Sequence, residues 1–171
     1  MKRLVCATLV AALGAAPLWA PRAPQSQAYE LPPKPAADHA RAWEAYSTAV
    51  LKQIAPFDAS RYEIHVTPQE PLASITYLSG KIELGPALLD RLDDPRELAV
   101  ILGHEIGHDI LGHGYAFTLS SSTPQETAAD AYGAALVPDG ACVLKRILEE
   151  KLADRKEQER LVRVTALDCR N

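Results

Sequence analysis

The stretch DDPRELAVILGHEIGH, residues 93–108, carries the clearest helix signal in this chain of 171 residues. Asp94 is a typical N-cap, Pro95 stands at the first helical position, and Glu97 completes a capping box. Apolar residues follow at helical spacing: Leu98, Ile101, Leu102 and Ile106. The stretch therefore predicts a helix with one apolar face, and the glycines in its second half permit another helix to pack closely.

Two of the five histidines of the chain lie four residues apart on this predicted helix. At that spacing His104 and His108 share one face, so both rings can reach one tetrahedral metal ion. Glu105 lies about 100° around the helix and is placed to act on a water at that ion. This is the H-E-x-x-H pattern of zinc hydrolases. The alternative is two surface histidines beside an ordinary glutamate. The apolar flanks instead favour a packed interior, where burying three polar side chains costs free energy unless they have partners such as a metal ion.

The third ligand decides the class of zinc site. The pattern H-E-x-x-H-x-x-G-x-x-H places a histidine six residues after the second ligand, whereas His113 follows His108 by five. A second predicted helix, beginning with TPQETAAD at residues 123–130, offers Glu126 instead. Asp130 lies one turn further on and can accept a hydrogen bond from a ligand histidine. Glu126 could alternatively be only the capping-box acid of its own helix, although the paired aspartate and the run of alanines favour the ligand role.

His113 leaves two interpretations open. A fourth protein ligand would make the site a closed structural one, because a catalytic zinc keeps an open position. The other interpretation is a polar residue at the end of the helix, favoured there by the helix dipole.

The rest of the chain predicts a single domain over residues 37–171. Its further elements are a helix over 38–54, a strand over 61–67, two short strands or one bulged strand over 73–85, a short helix over 86–92 and a long helix over 141–166.

The N-terminus is typical of an exported protein. A basic start, a short apolar run and small residues predict a signal peptide over residues 1–28, cleaved after Ala28 or alternatively after Ala20. An uncleaved membrane anchor is the other interpretation. A proline-rich, disordered leader over 29–36 follows. We expect export to a bacterial periplasm. Signal cleavage leaves Cys142 and Cys169, and an exported protein with two cysteines is expected to join them as a disulfide. The weaker alternative is two free thiols or zinc ligands.

The charge of the chain excludes some partners. The formal net charge is −4, and loss of the basic signal peptide makes the remainder more acidic. Nucleic acid and anionic lipid are therefore not expected as partners, and membrane association is not required after cleavage.

The segment LSGKIELGPALLDRLDDPRELAVILGHEIGHDILGH, followed by QETAADAYGAAL, resembles the HtpX-like and CAAX-prenyl-protease zinc metallopeptidases. It is most similar to their soluble periplasmic branch, which is related to the Oma-type proteases. The resemblance implies one zinc ion at His104, His108 and Glu126, with Glu105 as general base. It further implies endopeptidase activity on proteins, here misfolded or envelope proteins.

The resemblance also implies an α+β, mainly helical fold with a zincin-like core. A small antiparallel sheet is expected, with an edge strand near Tyr77–Leu84 that faces the active-site helix and pairs with protein or peptide substrate.

The chain departs from this family where a histidine or arginine commonly stabilises the oxyanion. His113, Tyr132 and Arg146 are the candidates for that role, as are Arg160 and Arg163. Residues 114–123 could form a lid over the site. The rival hypothesis is a zinc-stabilised, inactive relative that acts as a periplasmic binding or chaperone-like module.

Overall fold

The computed structural model describes residues 34–35, 40–69, 73–76, 79–113, 123–151 and 169. It is mainly helical with one small sheet, which confirms the α+β class. In chain order the elements are helix α1 (Ala40–Ile54), a 3₁₀ turn (Ala59–Arg61), strands β1 (Glu63–Val66), β2 (Ala73–Thr76) and β3 (Lys81–Leu84), helices α2 (Pro86–Leu89), α3 (Pro95–Ile110), α4 (Thr123–Ala135) and α5 (Gly140–Arg146), and a π-helical turn (Ile147–Lys151).

Helix α3 forms the centre of the domain. The predicted capping box is present: the Asp94 side chain accepts a hydrogen bond from the Arg96 backbone, and Glu97 accepts one from the Asp94 backbone. Every residue from Glu97 to His108 is buried. A helix that is buried on all sides lies inside the fold rather than on its surface, so the histidines near its C-terminal end are held by packing on several sides.

The sheet has the order β1-β3-β2 and mixes two directions. β1 runs parallel to β3, with Glu63 opposite Lys81, whereas β2 runs antiparallel to β3. The prediction of an antiparallel sheet is therefore wrong. β1 pairs with one side of β3, while β2 and β3 pair antiparallel on either side of the Ser79–Gly80 turn. Gly80 is required there, because its φ of 65° is left-handed and an added Cβ would lie 2.2 Å from the Arg61 carbonyl oxygen.

The predicted position of the edge strand is also wrong. The segment near Tyr77–Leu84 contains β3, which is the middle strand of the sheet, and residues 77–78 lie outside the described part. Among the described strands β1 and β2 are the edges, and β2 contacts α3.

The core lies between α1, the sheet and α3. The predicted apolar face of α1 is buried and consists of Trp43, Tyr46, Val50, Leu51 and Ile54. It packs against α3 and β1, together with Ile82 and Leu84 of β3. This packing fixes α3 from one side.

Helix α4 packs on another side of α3 through glycines. A Cβ added at Gly103 would lie 2.8 Å from the Gly133 Cα, and one added at Gly133 would lie 2.6 Å from the His104 backbone nitrogen. The two backbones are therefore in direct contact beside the first histidine, as the small residues in the sequence predicted.

The C-terminal part confirms the disulfide between Cys142 and Cys169, whose Cα atoms are 5.0 Å apart. The predicted long helix begins at Gly140 and is described as far as Lys151. Residues 152–168 lie outside the described part, as do the predicted signal peptide and all of the leader except residues 34–35. Lys34 of that leader lies over the Trp43 ring. In the described part of the chain, no helix is long and apolar enough to cross a membrane.

Candidate metal centre

The two histidines of the H-E-x-x-H pattern face each other on α3, one turn apart. His104 is 8 % exposed and His108 is 4 % exposed. Their Nε2 atoms are 3.0 Å apart. Such proximity in a buried place brings two imidazole lone pairs to one point, which is what a shared metal ion requires.

Glu126 of α4 completes the group. Its Oε2 lies 3.5 Å from His104 Nε2, and its Oε1 lies 3.4 Å from His108 Nε2. A capping-box acid would turn its carboxylate back to the start of its own helix, whereas this carboxylate reaches both histidines of α3. The structure therefore brings together the three predicted ligands, and within the described residues they are the group able to hold a metal ion.

The spacing of the three donor atoms fits zinc. A tetrahedral zinc ion with bonds of about 2.0–2.1 Å needs donor atoms about 3.3 Å apart. The observed separations of 3.0, 3.4 and 3.5 Å surround that value. Two imidazoles and one carboxylate are also a donor set that zinc accepts while a fourth position stays open.

Asp130 orients the first histidine. It is 1 % exposed, and its Oδ1 lies 2.8 Å from His104 Nδ1. A neutral histidine that donates Nδ1–H to a carboxylate presents the lone pair of Nε2 on its other side. Asp130 lies one turn beyond Glu126, so one face of α4 supplies both the predicted ligand and this hydrogen-bond acceptor.

Glu105, the predicted general base, is 8 % exposed and directly follows His104 on α3. It is therefore a buried carboxylate beside the donor group. Its assignment as the base remains a prediction.

Burial controls the charge of His108. Removal from water, and then the neighbouring His104, lower the pKa of this histidine to about 4, although the carboxylates of Glu126 and Asp130 oppose the change. His108 is therefore neutral at physiological pH, and its nitrogen lone pair is available.

His113 lies against the far side of His108. Its Nδ1 is 3.0 Å from His108 Nδ1, while the other nitrogen of His108 faces the donor group. His113 does not join the metal-binding group of the described residues. The His113 ring approaches the nitrogen of His108 that points away from the site, so it lies outside the group of three donors.

Arg146, a predicted oxyanion stabiliser, makes its described contacts at the start of α3 instead of at the donor group. Its guanidinium pairs with Asp94 at 3.2 Å and with Glu97 at 3.3 Å. These acids lie at the N-terminal end of α3. The nearer ligand, His104, stands 7 residues after Glu97, and this separation corresponds to about 10 Å along a helix. Arg146 therefore stabilises the start of α3.

Tyr132 packs its ring on Gly107, between α3 and α4. Burial raises the pKa of its phenol, and the charge of Asp58 raises it as well. The Tyr132 ring is therefore part of the packing between α3 and α4. A role for Tyr132 at the oxyanion is not supported by these contacts. The other candidates, Arg160 and Arg163, and residues 114–122 of the predicted lid lie outside the described part, while Thr123 begins α4.

A second set of contacts that the sequence did not suggest holds the C-terminal end of α3. Asp109, next to His108, accepts hydrogen bonds from Arg61 at 3.0 Å and from the Tyr62 hydroxyl at 2.9 Å. Burial, and then the hydrogen bond with Asp109, raise the pKa of Tyr62 far above its usual value. These bonds connect the start of β1 to the helix that carries the histidines. Sequence reasoning cannot identify this contact, because nothing local in the sequence points from Tyr62 to a partner 47 residues away.

Comparison with known families agrees with this geometry. Residues 50–118 match peptidase family M48. The match confirms the predicted family resemblance, and the zinc metallopeptidase activity of the M48 family is what it implies for this chain. It includes the helix with His104, Glu105 and His108 but ends before Glu126, so the third donor is identified by its position in the fold. Searches of curated proteins and of solved structures give no significant match.

Proposed function

We propose that the protein is an exported zinc endopeptidase that hydrolyses peptide bonds in misfolded or envelope proteins. The observation that carries the proposal is the triangle formed by His104, His108 and Glu126, whose donor atoms are 3.0–3.5 Å apart. Three donors of this kind, without a fourth ligand among the described residues, favour a catalytic zinc site over a closed structural one.

Zinc bound at these residues would supply Lewis acidity and make water a better nucleophile at neutral pH. The chain itself supplies orientation and proton transfer. Asp130 keeps His104 in the tautomer that offers Nε2. Glu105 takes the proton from the attacking water and passes it to the leaving amine of the peptide bond. The burial of Glu105 beside His104 supports this role, because it places a carboxylate next to the donor group, where the attacking water would lie.

Strand β2 is the proposed site of substrate pairing. It is an edge among the described strands and it contacts α3. An extended peptide that adds to such an edge forms backbone hydrogen bonds without regard to side-chain sequence. This mode of binding suits unfolded protein segments, in which the backbone is accessible.

The proposed compartment follows from two features. The N-terminal sequence has the pattern of a signal peptide, and Cys142 and Cys169 are joined as a disulfide, which is a bond typical of oxidising compartments. The mass of the exported protein would distinguish cleavage after Ala28 from cleavage after Ala20.

One observation favours the second candidate, an inactive zinc-stabilised binding or chaperone-like module. Two of the predicted oxyanion stabilisers, Tyr132 and Arg146, make their described contacts with Gly107 and with the start of α3. A binding module would use the edge of β2 without hydrolysis, so its effect on unfolded proteins would survive the loss of Glu105.

The variant Glu105→Gln separates these two functions. We expect it to bind zinc as the wild type does and to lose about 10²–10⁴-fold in the rate of casein digestion, because the amide cannot accept the proton of water. Glu149→Gln is the matched control, since Glu149 is exposed beyond α5. Both are measured on protein exported from the full-length chain, and digestion by Glu105→Gln at the wild-type rate would contradict the proposal.

A further inference from the structure

The chain reverses direction just beyond the metal-binding helix. α3 ends at Ile110, and Gly112 adopts a left-handed conformation with φ of 72°. The Gly112 backbone nitrogen donates to the Asp109 carbonyl oxygen at 3.0 Å. In a continuous helix the fifth residue after His108 would be rotated about 140° away from it. The turn at Gly112 instead brings His113 back over the end of the helix.

The contact that results is specific to one atom of His108. The two Nδ1 atoms of His108 and His113 are 3.0 Å apart, and the rings meet at an interplanar angle of 74°. Since two neutral rings can share only one proton at such a contact, one nitrogen donates and the other accepts. The direction of this hydrogen bond depends on the tautomer of His108.

The tautomer of His108 is determined by its other ring nitrogen, Nε2, if that nitrogen binds a metal ion. A histidine that offers the lone pair of Nε2 must carry its proton on Nδ1, and a buried N–H group needs an acceptor. Asp130 is the acceptor for His104. For His108 the atom at hydrogen-bond distance from Nδ1 is the Nδ1 of His113.

We propose that His113 is a positioning residue of the metal site, whose Nδ1 accepts the Nδ1–H of His108 and so holds His108 as an Nε2 ligand. The inference rests on the proposed zinc site. The two ligand histidines then differ in their supporting acceptors, one being a carboxylate and the other a neutral imidazole. A neutral acceptor orients His108 without adding negative charge to a site that already holds Glu126 and Asp130.

A hydrogen bond from the first turn of α4 holds the backbone of His113 in place. The Gln125 side-chain nitrogen donates to the His113 carbonyl oxygen at 3.4 Å, and Gln125 directly precedes Glu126. His113 therefore connects the end of α3 to the first turn of α4, which are the two elements that supply the three donors.

The test is the zinc affinity of full-length, exported protein, measured by competition with a chromophoric chelator. We expect His113→Ala to bind zinc about 10–100-fold more weakly, and His113→Gln, whose amide oxygen can accept the same hydrogen bond, to recover most of that loss. His65→Ala is the control, because His65 lies on β1 and pairs with Glu63, and it should bind zinc as the wild type does. The metal-free His113 variants should unfold at the temperature of the metal-free wild type.

The outcomes separate the inference from the proposed function. Equal zinc affinity in the wild type and His113→Ala would overturn the inference alone, as would an affinity of His113→Gln as low as that of His113→Ala. A fall in metal-free stability that accounts for the loss of affinity would also overturn it. A wild type that binds no zinc would overturn the proposed function, and the inference with it.

Discussion

His108 is a histidine whose charge depends on its burial. Its pKa is about 4 in the folded protein, against 6.5 for an unperturbed histidine. Between these values the unfolded chain binds the proton and the folded chain does not, so the free energy of unfolding of the metal-free protein must fall as the pH decreases. We predict a fall between about pH 6.5 and pH 4, with a contribution from this one group of at most about 1.4 kcal/mol per pH unit.

Urea unfolding of the metal-free protein at several pH values measures this effect. The variant His108→Asn lacks the titrating group and should show a shallower dependence in the same window, whereas the half-exposed His65 can be replaced by alanine as a control. An equal slope in the wild type and His108→Asn would contradict the assignment.

The donor residues were largely predictable from the sequence, whereas their supporting contacts were only partly so. The spacing of four residues on a well-capped helix determines that His104 and His108 share a face. The same spacing links Glu126 and Asp130. The contact of His113 with His108 depends on the left-handed turn at Gly112, which no helical pattern encodes.

At the scale of elements, the contact between α3 and α4 positions the third donor. A Cβ added at Gly133 would lie 2.6 Å from the His104 nitrogen and 2.7 Å from the Val100 carbonyl oxygen. These are backbone atoms, which cannot rotate away. We predict that Gly133→Ala lowers the free energy of unfolding by about 1–3 kcal/mol and weakens zinc binding, because Glu126 moves away from the histidines.

The control for this prediction is Ala135→Ser, which adds one atom to the exposed side of the same helix. It should leave both the unfolding midpoint and the zinc affinity unchanged. A stable Gly133→Ala variant with wild-type zinc affinity would show that the two helices do not need their close contact.

The helices were predictable where their ends carry local signals, as at Asp94, Pro95 and Glu97. The direction of the strands was not. Alternation identifies a strand but contains no information on its partner, and β1 pairs with a strand that lies 18 residues further along the chain. The edge of the sheet was misplaced for the same reason, because it is set by the order of pairing.

At the scale of the whole molecule, the disulfide joins α5 to the C-terminal tail over a separation of 27 residues. Closing a loop of this length restricts the unfolded chain and stabilises the fold by about 3–4 kcal/mol. We predict that the double variant Cys142→Ser, Cys169→Ser loses about this free energy of unfolding. Its zinc affinity should be unchanged, because Arg146 of α5 pairs with acids at the N-terminal end of α3. The start of α5 meets α4 at Ala134, about two turns beyond Glu126.

Guanidinium unfolding of the oxidised protein, the reduced protein and the double variant measures this contribution. The reduced protein should match the double variant. Reduction without any loss of stability would mean that the cross-link does not constrain the unfolded chain.

The zinc content of Glu126→Ala shows most directly whether Glu126 is a metal ligand or only a helix-cap residue. Full-length protein is exported, purified and analysed for metal, with Glu149→Ala as the matched control. We expect one zinc ion per chain in the wild type and the control, and loss of zinc from Glu126→Ala together with loss of casein digestion. Zinc retained at the wild-type affinity in Glu126→Ala would contradict the ligand role of Glu126.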